Sequence, residues 1–326
     1  MTDKKVKWGI IGCGDVTEIK SGPAFNKVAD SELVAVMRRN AEKASDYAQR
    51  HGVPRWYDNA DALINDSLVN AVYIATPPAA HLQYTLAALA AGKAVYVEKP
   101  MALNHAEAAR MAGAASSSNG KLVVAHYRRQ WPLFKKIHQL LQAGAIGQVR
   151  MIKLRYHQPL LTKSALAIEK IAWRVDPAIA GGGLFNDIAP HQLDILYHFF
   201  GNARLIQGIA TNQAGIYAAP DAVVGSIHFN NNILFTGSWC FTGSEAVDDC
   251  IITGSEGSLQ FSFFDSKPVK ITVANNSSSF YFEPPQHVQQ PMIEQVVQYF
   301  QHRAPNPCTA IEGAEIMRWI DLLTAK

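Results

Sequence analysis

The sequence predicts an α/β protein with two domains: a doubly wound, mostly parallel sheet over residues 1–125 and a mainly antiparallel sheet over residues 126–326. In the first part, short apolar runs alternate with helix-like segments, which is typical of a parallel sheet covered by helices on both faces. In the second part, strand-like runs follow one another without helices between them. This change of pattern near residue 125 is the predicted domain boundary.

The first domain begins with an apolar strand at 6–11, followed by a glycine-rich turn and a helix. The pair Gly22-Pro23 predicts a break in that helix, because neither residue continues a helix well. The remaining elements repeat the strand–helix pattern. Predicted strands cover 33–37, 71–75, 94–97 and 122–125, and predicted helices cover 41–51, 79–91 and 104–118.

The second domain is predicted to start with a helix at 132–143 and a strand at 149–157 whose residues alternate between apolar and polar. Such alternation indicates a sheet with one solvent-facing side. Further strands are predicted at 204–211, 222–229, 233–241, 250–254, 259–264, 270–274 and 280–284. Asn230 to Asn232 predict a hairpin, 275–279 an exposed loop, and 292–301 and 311–323 two closing helices.

Composition excludes several classes of protein. Of the 326 residues, 17% are charged, the net charge is only +3, and no run of Lys or Arg exceeds two residues, so a nucleic-acid surface is not indicated. The four cysteines lack CxxC spacing, and the chain starts with charged residues rather than an apolar signal segment. No apolar run approaches the roughly 20 residues of a membrane helix. We therefore expect a cytoplasmic protein without a membrane partner.

The turn after the first strand reads Gly12-Cys13-Gly14, in the strand–turn–helix setting of dinucleotide-binding sites. Gly12 would permit the tight turn, and Gly14 would let the backbone approach a pyrophosphate. The third position of this fingerprint is Thr17 instead of glycine or alanine. An ordinary glycine turn is the alternative, but the position at the start of a repeating strand–helix pattern favours a cofactor.

Two arginines, Arg38 and Arg39, follow the second strand, where NAD-binding proteins usually carry a carboxylate for the ribose hydroxyls. Arginine is suited to a 2′-phosphate, through charge-assisted hydrogen bonds. The alternative is a pair of surface arginines without a ligand. The sequence therefore favours NADP(H) over NAD(H).

Glu98-Lys99-Pro100 follows another buried strand. It therefore lies at the carboxyl end of a strand, where parallel α/β proteins bind ligands. Lys99 could stabilise a developing alkoxide, or donate to a carbonyl oxygen in the reverse direction. Pro100 is a candidate for a cis peptide bond. The alternative for Glu98 is a surface ion pair.

The segment 181–194 reads GGGLFNDIAPHQLD, and its polar residues recur at helical spacing. His191, Asp194 and His198 would form one stripe. Because proline fits best in the first turn of a helix, Pro190 predicts a helix start, which would leave Asp187 in the preceding turn. Histidine with a nearby carboxylate suits proton transfer to an alcohol oxygen. A solvated helix face is the alternative, and no third ligand supports a metal site.

Together these motifs resemble the glucose–fructose oxidoreductase/inositol dehydrogenase (Gfo/Idh/MocA) family. The matching stretches are GIIGCG at 9–14, ATPPAAH at 75–81, EKP at 98–100, GGGLFNDIAPHQLD at 181–194 and TGSEGSL at 253–259. The resemblance implies an N-terminal Rossmann domain and a C-terminal α/β domain with a large, mainly antiparallel sheet. It covers essentially the whole chain. Thr17 and Gly22-Pro23 depart from the simplest family pattern, which leaves the geometry of the first helix open.

The resemblance also implies roles for matching residues. His191 would be the general acid/base, Lys99 would contact cofactor and substrate, and Asp187 would bind substrate or relay protons. Residues implied to hold the cofactor are Gly12, Gly14, Asp15, Val16, Thr76, Pro77, His81, Glu98, Trp173 and Arg174, with Tyr127 and Arg128 facing the substrate. No catalytic metal is implied.

The implied reaction is reversible hydride transfer between a nicotinamide cofactor and a carbinol carbon of a sugar or cyclic polyol. The resemblance further implies a homodimer or homotetramer that pairs through the outer face of the large sheet. Three alternatives remain: a non-catalytic, cofactor-sensing regulator, a glycosidase that uses NAD transiently, and a dehydrogenase of aromatic dihydrodiols.

Overall fold

The computed structural model describes residues 5–325; residues 1–4, Lys326 and the side chain of Glu169 lie outside the described part. The chain divides into two compact units. The first runs up to Tyr127 and includes Pro285–Met317, and the second comprises Arg128–Pro284 and the residues from Arg318 onward. The segment Pro285–Met317, which the sequence assigned to the second domain, therefore packs with the first.

Within the described residues, the first unit contains a six-stranded parallel sheet in the order β3-β2-β1-β4-β5-β6. The strands are β1 (Val6–Ile11), β2 (Ser31–Met37), β3 (Arg55–Tyr57), β4 (Ala71–Ile74), β5 (Ala94–Val97) and β6 (Leu122–Val124). This is the doubly wound order of a Rossmann sheet, in which the strand order reverses between β1 and β4. The sequence missed β3, a short edge strand whose residues are mostly exposed.

The helices predicted at 41–51, 79–91 and 104–118 begin and end close to those positions, whereas the short helix Ala60–Ile64 was not predicted. The helices that flank this sheet are α1 (Asp15–Ile19), α2 (Ala24–Lys27), α3 (Ala41–His51), α4 (Ala60–Ile64), α5 (His81–Ala90) and α6 (His105–Ser117). The predicted break at Gly22-Pro23 separates α1 from α2. A Cβ at Gly22 would lie 2.3 Å from the Tyr47 hydroxyl and 2.2 Å from the Thr17 carbonyl oxygen, so only glycine permits this close approach.

The second unit contains, in its described residues, an eight-stranded sheet in the order β14-β13-β12-β11-β7-β10-β9-β8. The strands are β7 (Val149–Pro159), β8 (Ala203–Thr211), β9 (Ala222–Phe229), β10 (Leu234–Gly243), β11 (Val247–Gly254), β12 (Gly257–Phe261), β13 (Val269–Val273) and β14 (Asn276–Phe280). Neighbouring strands are antiparallel except β7 and β10, which run parallel. The predicted α/β class, with a mainly antiparallel second sheet, is confirmed.

The end of this sheet differs from the prediction. Residues 276–280 form β14 rather than an exposed loop, and the strand predicted at 280–284 is absent from the described structure. Ala274 and Asn275 both have positive φ angles (47° and 66°), the geometry of a tight two-residue hairpin between β13 and β14. The sequence did not predict this strand because β14 is a polar edge strand. Its residues are mostly exposed, so they lack the alternation of apolar and polar residues that marks a strand with one buried face.

The remaining helices are α7 (Pro132–Gln142), α8 (Lys163–Leu166), α9 (Glu169–Ala172), α10 (Pro177–Ala180), α11 (Gly183–Phe200), α12 (Gln290–Phe300) and α13 (Ala310–Leu323). Helix α11 corrects the sequence interpretation, because it continues through Pro190 instead of starting there. Asp187 is consequently helical. His191 and Asp194 are buried, which contradicts the alternative of a solvated helix face. Among residues 5–325, no helix combines the length and the apolar character that a membrane crossing requires.

Candidate active site

The turn between β1 and α1 contains two glycines with different structural requirements. Gly12 has a positive φ of 93°, and a Cβ there would lie 2.9 Å from the backbone nitrogen of Thr76. The chain itself therefore requires glycine at this position. At Gly14, a Cβ would meet only the Gly12 carbonyl oxygen, at 3.9 Å. The fold leaves space at Gly14, and this space fits the close approach of a dinucleotide pyrophosphate.

Thr17 occupies the third position of the fingerprint without distorting α1. It is completely buried, and its hydroxyl donates to the Gly14 carbonyl at 2.8 Å. The Tyr47 hydroxyl donates to the Thr17 carbonyl at 2.8 Å and joins α1 to α3. Hydrogen bonding thus accommodates a polar side chain where glycine or alanine is usual.

Arg38, the predicted ligand of a 2′-phosphate, lies beside the glycine turn. Its Nη1 donates to the Cys13 carbonyl at 3.4 Å, while Arg39 is exposed. Burial raises the pKa of the Cys13 thiol to about 11, although Arg38 partly offsets this effect. Asp15 is exposed and Val16 is half-buried at the start of α1. The predicted cofactor residues from 12 to 16 thus lie within this turn and its first helical turn.

The loops after β4 and β5 are joined by His81. Its Nδ1 lies 3.0 Å from the Pro100 carbonyl oxygen, and its Nε2 lies 2.7 Å from the Thr76 carbonyl oxygen. The ring has no exposed surface, and burial lowers its pKa. His81 therefore connects the two loops from the protein interior, next to Thr76 and Pro77, and its ring does not face solvent.

The Glu98-Lys99-Pro100 turn extends directly from β5, and the Lys99–Pro100 peptide is cis. Glu98 is buried; its Oε1 accepts from the Tyr73 hydroxyl at 2.5 Å, and its Oε2 accepts from the Lys99 backbone N–H at 3.1 Å. These contacts contradict the alternative of a surface ion pair for Glu98. Lys99 is half-buried at the carboxyl ends of the parallel strands, where proteins of this architecture bind ligands.

In the second unit, Asp187 and His191 lie one turn apart on α11 and hence on the same helix face. Arg174 Nε donates to Asp187 Oδ2 at 3.3 Å, and the Arg174 guanidinium lies 4.5 Å from the centre of the Trp173 ring. The structure therefore brings together the predicted residues Trp173, Arg174 and Asp187.

His191 has an aromatic neighbour that the sequence did not indicate. Its ring meets Phe264 edge-on, with 5.7 Å between ring centres. Phe264 also packs against Tyr156, at 5.2 Å, and its ring centre lies 4.5 Å from the Arg128 guanidinium. Trp131 contacts that guanidinium at 4.4 Å. Phe264 therefore borders His191, but it is 73 residues away in sequence, and no spacing rule could have found it.

Asp194 has a structural role in this unit. Arg129 Nε donates to its two carboxylate oxygens at 3.1 and 3.0 Å, and Arg129 Nη2 donates at 2.7 Å. Both side chains are at most 2% exposed. This bidentate pair fixes α11 against the short helical turn Tyr127–Gln130, which contains the predicted substrate residues Tyr127 and Arg128. Residues 5–325 contain no cluster of three or more His, Cys, Asp or Glu side chains placed to hold a metal.

Comparison with known proteins identifies the family. Residues 6–126 match the model of an oxidoreductase family with an NAD-binding Rossmann fold, and residues 134–260 match the Gfo/Idh/MocA C-terminal domain. The chain belongs to the Gfo/Idh/MocA family. It is therefore an oxidoreductase with an NAD-binding Rossmann domain, as the sequence motifs implied.

Relatives of this family member act on different compounds. An oxidoreductase from Formosa agariphila is 46% identical over 98% of both chains. A 1,5-anhydro-D-fructose reductase from Ensifer adhaerens is 29% identical over 78% of this chain and 74% of its own. Levoglucosan dehydrogenase, solved with NADH and levoglucosan, has the same fold, with a TM-score of 0.86 at 21% identity over 98% of this chain and 96% of its own.

Proposed function

We propose that this oxidoreductase transfers a hydride between a nicotinamide cofactor and a carbinol or carbonyl carbon of a sugar, cyclic polyol or related compound. The observation that carries the proposal is Lys99, at the carboxyl end of β5 in an NAD-binding Rossmann domain. Hydride transfer to or from such a carbon also needs a group that exchanges the hydroxyl proton. Helix α11 supplies a buried histidine one turn from a carboxylate. The named substrates of the reductase and dehydrogenase relatives support the substrate class.

The cofactor supplies the carbon that accepts or gives the hydride. His191 would take the proton of the substrate hydroxyl during oxidation and return it during reduction. Lys99 would stabilise the negative charge that develops on the same oxygen. Asp187, held by Arg174 and one turn before His191, would orient the substrate or relay the proton to solvent.

A screen of sugars, inositols and ketosugars tests this function. Wild-type protein should change the absorbance of reduced nicotinamide with at least one member of this set, in the presence of NADP(H) or NAD(H). Trans-dihydrodiols of aromatic rings belong in the same screen. A relative from Danio rerio, 27% identical over 78% of this chain, is a trans-1,2-dihydrobenzene-1,2-diol dehydrogenase, and Phe264 supplies an aromatic ring next to His191. No turnover with any compound would reject the proposal.

NADP(H) is the proposed preferred cofactor. Arg38 is bound to the glycine turn and is available for a 2′-phosphate, whereas β2 ends without a carboxylate for the ribose hydroxyls. Structures with this fold include both a complex with NADH and a putative NADPH-dependent oxidoreductase from Desulfitobacterium hafniense. The fold alone therefore does not distinguish NADP(H) from NAD(H), and the proposal depends on the residues at the end of β2.

Arg38→Ala should raise the KM for NADPH by about 10- to 100-fold, because it removes charge-assisted hydrogen bonds to the 2′-phosphate. The KM for NADH should change by less than about threefold, since NADH lacks that phosphate. Arg39→Ala, at the exposed neighbouring position, is the matched control and should have the smaller effect. Equal changes for the two cofactors in Arg38→Ala would refute the assignment.

We also propose that two copies of the chain associate through the outer face of the large sheet, in a homodimer or homotetramer. Ile209 pairs with Val224 across β8 and β9, and they are 66% and 50% exposed. Leu234 pairs with Met151 across β10 and β7, with 46% and 47% exposure. Several exposed apolar residues on one sheet face are typical of a surface covered by a partner.

Ile209→Lys should shift the protein towards a smaller species in sedimentation velocity, because it places a charge in the proposed interface. Ile311→Lys is the control, since Ile311 is 73% exposed but lies in the first unit. A monomeric wild type would contradict the proposal.

A cytoplasmic location is proposed from the cysteines. All four lie within the described residues, and none of them forms a disulfide. Cell fractionation that finds the protein only in an oxidising compartment would contradict this proposal.

A further inference from the structure

We propose that Gln289 is a positioning residue for the turn that carries Lys99. Its buried amide holds the Glu98 carboxylate, which in turn binds the backbone of Lys99. The inference rests on the proposed function, because it concerns how the chain places the lysine of that reaction. Gln289 belongs to the segment Pro285–Met317, which the sequence assigned to the other domain.

The amide of Gln289 has a defined orientation. Its Nε2 donates to Glu98 Oε1 and, at 3.2 Å, to the Tyr73 hydroxyl oxygen. Its Oε1 accepts from the Tyr96 hydroxyl at 3.0 Å. The residue is 1% exposed, so water does not replace these bonds easily. One end of the side chain must donate and the other must accept, which glutamine does and glutamate or leucine does not.

Glu98 transmits this constraint to the catalytic turn. Its Oε1 accepts from Tyr73 and Gln289, and its Oε2 accepts from the Lys99 backbone N–H at 3.1 Å. The side chain is 6% exposed. A buried carboxylate with these donors has one favourable orientation, and that orientation fixes the start of the Lys99–Pro100 turn.

The segment before α12 is itself anchored, so Gln289 is not free to shift. The Gln289 backbone N–H donates to the Lys20 carbonyl at 3.2 Å. Two residues earlier, His287 Nδ1 lies 2.6 Å from the Ile19 carbonyl oxygen, and its Nε2 lies 2.5 Å from Lys27 Nζ. The contacts tie the segment to α1 and α2, next to the glycine turn.

Gln289→Glu converts this arrangement into one that depends on pH. The new carboxyl group would face the Glu98 carboxylate, and two such groups share a proton at low pH but repel each other once both ionise. Burial raises the pKa values of Tyr73 and Tyr96, so both tyrosines stay protonated at neutral pH. The titratable groups around the network are Tyr73, Tyr96, Glu98, His81, Tyr127 and Cys308.

The test compares pH profiles of kcat with cofactor Kd values from fluorescence titration. At about pH 5, Gln289→Glu should have a kcat within about threefold of the wild type, and at about pH 8 at least about tenfold lower. The Kd for the cofactor should stay within about threefold of the wild type at both pH values, because the glycine turn and Arg38, which supply most of the proposed contacts outside the Glu98-Lys99 turn, are unchanged. Gln286→Glu adds the same charge at an exposed position of the same segment and should follow the wild-type profile.

Two results would overturn the inference. One is a pH profile of Gln289→Glu that coincides with that of Gln286→Glu. The other is a parallel loss of kcat, cofactor affinity and melting temperature at every pH, which indicates a packing defect only.

Tyr73→Phe keeps the core ring but removes a donor to Glu98, and it should lower kcat at unchanged cofactor Kd. An unchanged kcat in this variant also counts against the inference. If Lys99→Met keeps full turnover, the proposed function itself fails. If Lys99→Met is inactive while Gln289→Glu is normal, only the positioning role fails.

Discussion

Lys99→Met is expected to lower kcat by about a hundredfold to a thousandfold, because it removes the cation that we propose stabilises the developing alkoxide. Methionine has a side chain of similar length, and the half-buried position should tolerate it. The backbone N–H of residue 99 still donates to Glu98 in this variant, so the turn keeps its main support. Steady-state turnover with the best substrate of the screen measures the effect.

Lys93→Met is the matched control for this variant. Lys93 lies just before β5, at the opposite end of that strand from Lys99, and its Nζ donates to the carbonyls of Asp66 at 3.0 Å and Val69 at 2.6 Å. Its replacement should lower the melting temperature but leave kcat within about threefold of the wild type. Near-normal turnover in Lys99→Met would exclude the lysine as a catalytic group.

His191→Asn is expected to lower kcat by about 10²- to 10⁴-fold, because general acid/base catalysis typically contributes a factor of this size. The cofactor Kd should change by less than about threefold, since most of the proposed cofactor contacts lie in the Rossmann domain and His191 is not one of them. Asparagine is smaller than histidine, polar and uncharged. It retains hydrogen-bonding capacity in this buried position but cannot exchange a proton near neutral pH.

His198→Asn provides the comparison on the same helix. His198 lies two turns after His191 on α11, is half-buried, and has its ring centre 4.9 Å from that of His138. Its replacement should leave kcat within about threefold of the wild type. Equal losses in the two variants would indicate a general defect of α11, and wild-type turnover in His191→Asn would refute its role.

Most elements of the fold could be predicted from local patterns. Strands β2, β4 and β5 are buried on both faces and read as short apolar runs, and Gly52 ends α3 with a left-handed φ of 64°. The errors occurred where local rules are weak. Strand β14 is a polar edge strand, and α11 continues through Pro190 because the buried surroundings of the helix outweigh the lost backbone hydrogen bond.

The candidate site was only partly visible in the sequence. Motifs containing Gly12, Lys99 and His191 mark positions where backbone geometry or chemistry demands a particular residue type. Contacts between distant residues leave no such mark. Gln289 lies 191 positions from Glu98, and Phe264 lies far from His191 in the chain. Tertiary packing selects such partners, and one sequence carries no spacing rule for them.

In the proposed reaction, the chain moves a hydride between nicotinamide and a carbon that bears a hydroxyl or carbonyl group. The most direct measurement uses reduced cofactor deuterated at its transferable position, with a carbonyl substrate from the screen and mass spectrometry of the product. We expect one deuterium on the new carbinol carbon with the wild type and loss of that transfer in Lys99→Met and His191→Asn. A product without deuterium at that carbon, or one formed equally fast by all three proteins, would contradict it.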